Sequence, residues 1–409
     1  MNCSGQGPIG NIDLVKQING SVVYRLIDQQ GPISRIQIAE TSQLAPASVT
    51  KITRQLLLRG LIREVEQQAS TGGRRAISIV TDNHGFQAVA IRLGRCNATL
   101  ALYDLGGKLL AEETAAVPET DQNALEAELI RIIDNFIKTQ QTKIIELVAI
   151  SVVMPGLVDP ENGIVTYMPH MKVDNWQLLD AIKNHFDITT FIGHDIRSLA
   201  LAEHYFGETK NCDDSLLIRI HRGVGAGIII NGQVFLGKKR NVGEIGHIQV
   251  DPLGKRCHCG NFGCLENIIS NHAIEKHAQT LINQGYPTKL TVDSCTISNI
   301  CDAVNNGDRL AIEIIENAGR YLGKAVAISI NLLNPQKIVI TGEITAAHSV
   351  LLPSIQHCID TQALKNFREN IPLVISKLDH QSAIGAFALV KRSMLNGVLL
   401  QQLLGEHLY

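Results

Sequence analysis

The sequence predicts an α/β protein in which a winged helix-turn-helix precedes a much larger α/β body. Three observations carry that expectation: capped helical patterns in the first eighty residues, alternating strand-like and helical runs from about residue 82, and a tight cysteine cluster in the second half. With 409 residues, 45% hydrophobic and 19% charged, the chain has ordinary globular composition and room for two or three folding units.

A helical pattern opens near Asp13 and runs to about Gln30, with Val15, Ile18, Val22, Val23, Leu26 and Ile27 on one face. Gly31-Pro32 stops it. Ser34 is placed to cap a short second helix, and Gln37 three residues later completes a capping box. That helix ends near Thr41, Ser42-Gln43-Leu44 makes the turn, and Pro46 suits the first position of a third helix that ends at Gly60. In the third helix Val49, Ile52, Leu56 and Leu57 share an inward face. Ala47, Ser48, Thr50, Lys51 and Arg54 point outward, where small residues allow close approach to base edges, hydroxyls can hydrogen-bond, and the two cations can reach phosphate or guanine. Arg35, at the start of the second helix, joins this candidate DNA-binding set. After Gly60, two strand-like runs around Gly72-Gly73-Arg74-Arg75 read as a wing, with Arg74 and Arg75 on a basic tip suited to a minor groove. The charge distribution agrees. Residues 1–80 carry nine Lys or Arg against five Asp or Glu, although the whole chain has net charge −2. A mildly basic end therefore sits on an acidic body, and the protein as a whole is not a general polyanion binder.

In the body, residues 88–93, 98–105, 147–154, 189–195, 215–220, 225–232 and 337–343 read as strands, and 122–141, 174–186, 196–206 and 308–333 as helices. The alternation predicts mixed sheets with helical layers. The last segment, 383–404, is apolar and helical. The N-terminus has no signal-peptide core and no apolar run is long enough to span a bilayer, so a cytoplasmic protein without membrane insertion is expected. Nine cysteines in so long a chain do not make a disulfide framework. Three of them, Cys257, Cys259 and Cys264, lie within eight residues among glycines, which points to metal chemistry in a reducing compartment. Zinc takes four ligands in a tetrahedron. His258, between two cysteines, would struggle to turn inward, and His247, ten residues upstream, is the better fourth ligand.

The segment GEIGHIQVDPLGKRCHCGNFGCLE at 243–266 resembles the signature of the ROK family of repressors and sugar kinases. So do Gly223-Val224-Gly225-Ala226-Gly227, MPGLVDPENG at 154–163, the His194-Asp195 pair ending a strand, and IVITGEI at 338–344. These motifs occur in family order and cover the body. The resemblance implies a two-lobed, actin-like sugar-kinase fold with structural zinc on His247, Cys257, Cys259 and Cys264. It implies a domain plan of 1–81 for the winged helix-turn-helix, 82–195 for the small lobe completed by 383–409, and 196–382 for the large lobe with the zinc site and an oligomerisation surface. It further implies a sugar site from Gly156, His170, His194, Asp195, Glu244, His247 and Glu266. The N-terminal domain places the chain in the repressor branch, which implies operator double-stranded DNA, a homodimer or homotetramer, and N-acetylglucosamine 6-phosphate as the inducer that releases the operator of amino-sugar genes. The alternatives are another sugar, a sugar-transport protein as partner, or an active sugar kinase.

Against the kinase stands the segment Ile91-Arg92-Leu93-Gly94-Arg95-Cys96, where active relatives carry Asp-x-Gly-Gly-Thr. Arg92 replaces the acid that would anchor Mg²⁺, and phosphoryl transfer depends on such cations. His221-Arg222 likewise replaces a Gly-Thr pair. No catalytic residue is therefore expected. A 6-phosphate near Asp195 would need a compensating cation, for which Arg197 and Arg222 are the candidates.

Overall fold

The computed structural model describes residues 12–66, 77–118, 121–169, 171–238, 241–378 and 382–405. They form two compact units, one of residues up to Gly193 together with Ala386 onward, the other His194–Gly385.

The first unit opens with α1 (Ile12–Gln30), β1 (Ile33–Ser34), α2 (Arg35–Ser42), α3 (Pro46–Arg59), β2 (Ile62–Glu66) and β3 (Ile77–Thr81). Local chemistry sets the boundaries. Ser34 Oγ accepts from the Gln37 backbone N–H while Gln37 Oε1 accepts from that of Ser34, a reciprocal capping box. Helix α3 starts with Pro46 and closes at Gly60, whose φ of 76° suits glycine and whose N–H donates to the Leu57 carbonyl. Val23, Ile27, Ile38, Val49, Leu56 and Ile79 are buried, so the inward faces of the helices meet the sheet. Strands β1, β3 and β2 pair antiparallel in that order. The wing tip with Arg74 and Arg75 lies outside the described residues.

The unit continues through β4 (Gln87–Leu93), β5 (Asn97–Asp104), β6 (Leu109–Ala116), α4 (Gln122–Thr139), β7 (Leu147–Met154), β8 (Leu157–Asp159), β9 (Ile164–Tyr167), α5 (Leu178–Phe186) and β10 (Thr190–His194). The main sheet has the order β10-β7-β4-β5-β6, with β4 antiparallel to β5 and parallel to β7. Asp121 caps α4 by accepting from the N–H groups of Asn123 and Ala124, and the helix buries Leu125, Leu129, Ile132, Ile133 and Phe136 at helical spacing. Helix α5 begins at Leu178, not at 174 as the sequence suggests. Trp176 is used otherwise: its backbone bridges to Val165 and its indole N–H donates to Glu126.

The second unit comprises α6 (Asp195–Phe206), β11 (Ser215–Ile220), β12 (Val224–Ile230), β13 (Gln233–Val234), α7 (Glu266–Ile269), α8 (Asn271–Asn283), α9 (Ile297–Asn305), α10 (Arg309–Leu333), β14 (Lys337–Thr341), α11 (His348–Gln362), α12 (Lys365–Arg368) and β15 (Leu373–Ile375). Its sheet runs β13-β12-β11-β14-β15, antiparallel through β11 and parallel beyond. Helix α10 forms the spine of this core. Side chains at Gly319 and Gly323 would meet Ser354 and Cys358, each at 2.6 Å, so those glycines let α11 lie close against it.

The chain then returns to the first unit with α13 (Ile384–Leu395) and α14 (Val398–Gly405). The C-terminal apolar run is thus two helices. Gly397 breaks it at φ 84°, in space where a side chain would fall 2.9 Å from the Gln17 carbonyl oxygen. Helix α14 packs on α1 and α3. Arg25 donates to the Leu395 carbonyl at 3.0 Å and Lys391 pairs with Asp28 at 2.5 Å. Arg59, the last residue of α3, donates to the Leu403 carbonyl, pairs with Glu146 through both terminal nitrogens, and lies over the Phe86 ring.

Candidate functional site

On α3, Ala47, Thr50, Lys51 and Arg54 are exposed and Ser48 is half-buried, while Val49 and Leu56 face the core. The outward set is therefore presented together. Thr50 spends its hydroxyl hydrogen on the Pro46 carbonyl. Arg35 is held within the domain: it donates to Thr53 Oγ1 at 3.1 Å and pairs with Glu64 at 2.7 Å.

In the second unit, His247 ends a 3₁₀ turn, Ile245–His247, and the cysteines sit on the following loop. The ligand atoms of His247, Cys257, Cys259 and Cys264 lie within 4.8 Å of one another. Cys257 Sγ is 3.6 Å from His247 Nδ1, and Cys259 Sγ is 3.7 Å from Cys264 Sγ. Metal–sulfur bonds of about 2.3 Å and metal–nitrogen bonds of about 2.0 Å in a tetrahedron require ligand separations of roughly 3.6–3.8 Å, so the donor set fits zinc. The loop is held by backbone bonds, Cys257 N–H to the Asn261 carbonyl and Gly260 N–H to that of Cys257. Gly263 is obligatory: at φ 63° a side chain would collide with the Asp251 carbonyl. Burial pushes the Cys264 thiol up to about 12, whereas the Asn261 backbone N–H holds Cys259 below the usual thiol range. His258 is exposed, with Nδ1 3.6 Å from Glu266 and 3.7 Å from Cys257 Sγ.

Asp195 opens α6 and is buried. Its Oδ1 accepts from the Ile196 N–H at 2.8 Å, and its Oδ2 from Arg219 Nη1 at 2.6 Å. Arg219 is absent from the residues anticipated above. The available signal was a charged residue in the middle of SLLIRI, an otherwise apolar strand. Arg197 is buried on the same helix; burial lowers its guanidinium, against the attraction of Glu244 and Asp195. Glu266 Oε2 accepts from the Val224 N–H, which ties α7 to the glycine-rich start of β12. Glu244 is exposed, and the loop that carries it lies on β12: Ala226 N–H donates to the Gly243 carbonyl at 2.7 Å. Arg222 is exposed and lines a cavity of about 700 Å³ with Lys255, Arg256, Glu266, Lys276 and Tyr321. The second unit therefore brings together His194, Asp195, Arg197 and Arg219. Gly156 belongs to the first unit, where its φ of 118° and the nearby Tyr167 carbonyl demand glycine. His170 lies outside the described residues. Arg92 is the penultimate residue of β4, half-buried, also in the first unit.

His194 caps α6 by accepting from the Ile196 N–H. Burial pushes it down to about 4, Arg197 and Arg219 add to the shift, and Asp195 opposes it. The unfolded chain, with an ordinary histidine near 6.5, then binds the extra proton first. Stability present above about pH 6.5 is lost as the pH falls toward 4. His194→Asn keeps a capping acceptor without the titration. Urea midpoints at pH 7.5 and 5.0 are expected to fall less in that variant than in the wild type, and equal losses would refute the assignment.

A sugar-kinase-like α/β body bearing a winged helix-turn-helix and a Cys₃His cluster is the class that this fold and site define. The ROK family model matches residues 88–393, and a MarR family model matches residues 22–69. The chain belongs to the ROK family, as its motifs indicated. It is 64% identical over 404 residues, 99% of this chain and 100% of the relative, to the DNA-binding transcriptional dual regulator NagC of Escherichia coli. A crystal structure of a ROK family transcriptional regulator, a homologue of the E. coli MLC protein, superposes with a TM-score of 0.90 at 44% identity, covering 96% of this chain and 100% of that one. A ROK family glucokinase from Streptomyces griseus, solved with glucose and AMPPNP, matches at TM-score 0.64 and 21% identity over 75% of this chain and 99% of its own, which establishes likeness of fold. No helix among the described residues is long and apolar enough to cross a membrane.

Proposed function

We propose that the protein is a repressor that binds operator DNA at amino-sugar uptake and catabolism genes and releases it on binding N-acetylglucosamine 6-phosphate. The observation that carries this reading is the 64% identity, over nearly the full length of both chains, with a DNA-binding transcriptional regulator, together with the exposed outward face of α3 here. Zinc on His247, Cys257, Cys259 and Cys264 would be structural, fixing the loop that joins Glu244 to Glu266. His194, Asp195, Glu244, His247 and Glu266, with Gly156 and His170, would contact the sugar, and Arg197 would lie beside its phosphate. Catalysis is disfavoured by Asp195 itself: a carboxylate already accepting from Arg219 and from a helix N-terminus is a poor base for a sugar hydroxyl. With one reading head per chain, a homodimer or homotetramer would read a near-palindromic operator.

The test is operator-fragment binding by fluorescence anisotropy, titrated with N-acetylglucosamine 6-phosphate and with N-acetylglucosamine in parallel. Release by the phosphosugar at lower concentration is expected. Operator binding indifferent to both would discard this inducer. In the same assay, Lys51→Ala with Arg54→Ala is expected to weaken operator binding by about 2–4 kcal/mol and to flatten its salt dependence. Unchanged affinity and slope would remove α3 from the interface.

A further inference from the structure

We propose that Arg219 is the residue by which the sugar site distinguishes a phosphorylated ligand from a free one, through the Nε edge of a buried guanidinium whose Nη1 is held by Asp195. The proposal rests on the phosphosugar reading above and names the group that carries it.

Arg219 occupies the middle of the second unit's sheet, in register with Gly225 on one side and Thr341 on the other. Its side chain is 5% exposed. A guanidinium placed there is costly unless its charge and its N–H groups are satisfied. One nitrogen, Nη1, is satisfied by Asp195 at 2.6 Å, whereas the buried Nε has no hydrogen-bond partner among the described residues. Arginine's planar fork matches two oxygens of a phosphate monoester, and an Nε–Nη edge is one such fork. The surroundings favour an anion. Helix α6, twelve residues long, begins at Asp195 and directs its positive end there. Arg197, buried, lies close enough to feel both Asp195 and Glu244. Asp195 is also held independently of Arg219, since its other oxygen accepts from the Ile196 N–H. A phosphate can therefore dock on the Nε–Nη2 edge of Arg219 while Asp195 keeps its contact with Nη1. An unphosphorylated sugar offers that edge only neutral hydroxyl acceptors, which bind a guanidinium more weakly than a phosphate does. Arg222, with Arg197 one of the two cations that the sequence offered, is exposed on the cavity lined by Glu266 and shares none of these contacts.

The experiment uses the full-length protein on an operator fragment, titrated with N-acetylglucosamine 6-phosphate and with N-acetylglucosamine, and calorimetry of both sugars without DNA. The variants are Arg219→Met, Arg219→Lys and the double variant Asp195→Asn with Arg219→Met. The quantity read is the ratio of the two sugars' midpoints, because a merely structural role would weaken both alike. Arg219→Met is expected to raise the phosphosugar midpoint by roughly tenfold or more while moving the free sugar's much less. Arg219→Lys, keeping charge but losing the fork, should fall between. A wild-type ratio in Arg219→Met would overturn the proposal and leave the repressor reading standing. A wild type that ignores the phosphosugar, visible before any variant is made, would sink both. If melting curves show Arg219→Met unfolded, the double variant, which removes both charges of the pair, decides by the same ratio.

Discussion

Lys391→Met is expected to destabilise the first unit by about 3–5 kcal/mol, read as a lower urea midpoint. Lys391 Nζ lies 2.5 Å from Asp28 Oδ1, and the two side chains are 7% and 16% exposed. Removing the ammonium leaves a carboxylate between α1 and α13 with no cation to offset its lost hydration. Tyr24, buried beside it, is already pushed up by burial and by the charge of Asp28. Adding Asp28→Asn to Lys391→Met should restore most of the loss, since removing both charges is far cheaper than removing one. Operator affinity should follow stability, because α1 packs against the helix that carries Lys51 and Arg54. A loss below about 1 kcal/mol would mean that the pair behaves as a solvated surface bridge.

Cys264→Ser is the second large effect. The residue is fully buried, its sulfur lies 3.7 Å from that of Cys259, and the cluster spans residues 247–264. Structural zinc sites are worth many kilocalories per mole in isolated peptides, and a hydroxyl cannot replace the thiolate. Bound zinc, measured by atomic emission, is expected to fall to near zero. The second unit should melt several degrees lower, and the sugar response should be lost because Glu244 and Glu266 flank the loop. Cys212→Ser, outside the cluster, should retain the metal. Full zinc in Cys264→Ser would show that the cluster holds metal by another donor, for which His258 is placed.

The elements and sites of this fold differ in how far they could be read from the chain. The helix-turn-helix was legible because its determinants are local: the Ser34–Gln37 box, Pro46 at a helix start and Gly60 at a helix end each act within four residues. The Cys/His cluster was legible because three of its four members, Cys257, Cys259 and Cys264, lie within eight residues. Strand β6 was not anticipated, because Leu109–Ala116 is mostly exposed and its Ala and Glu residues show no alternation. The break between α13 and α14 was missed because Gly397 acts through α1, which lies far away in sequence. Arg219 was missed for a related reason. Its partner is 24 residues upstream on another element, and one charge in an apolar strand does not say which side chain will meet it. Local chemistry is written in the sequence, whereas pairings between distant segments emerge from the fold.

The contacts of α14 bear on how the reading head can be exchanged between proteins. A chimera that moves residues 12–81 alone to a foreign body would strand Arg59, Arg25 and Gln17, which donate to the carbonyls of Leu403, Leu395 and Asn396. The transplantable cassette is discontinuous and must take residues 384–405 with it. A tag or fusion at the C-terminus would pull on the same seam, so an N-terminal label is the safer handle for following operator binding.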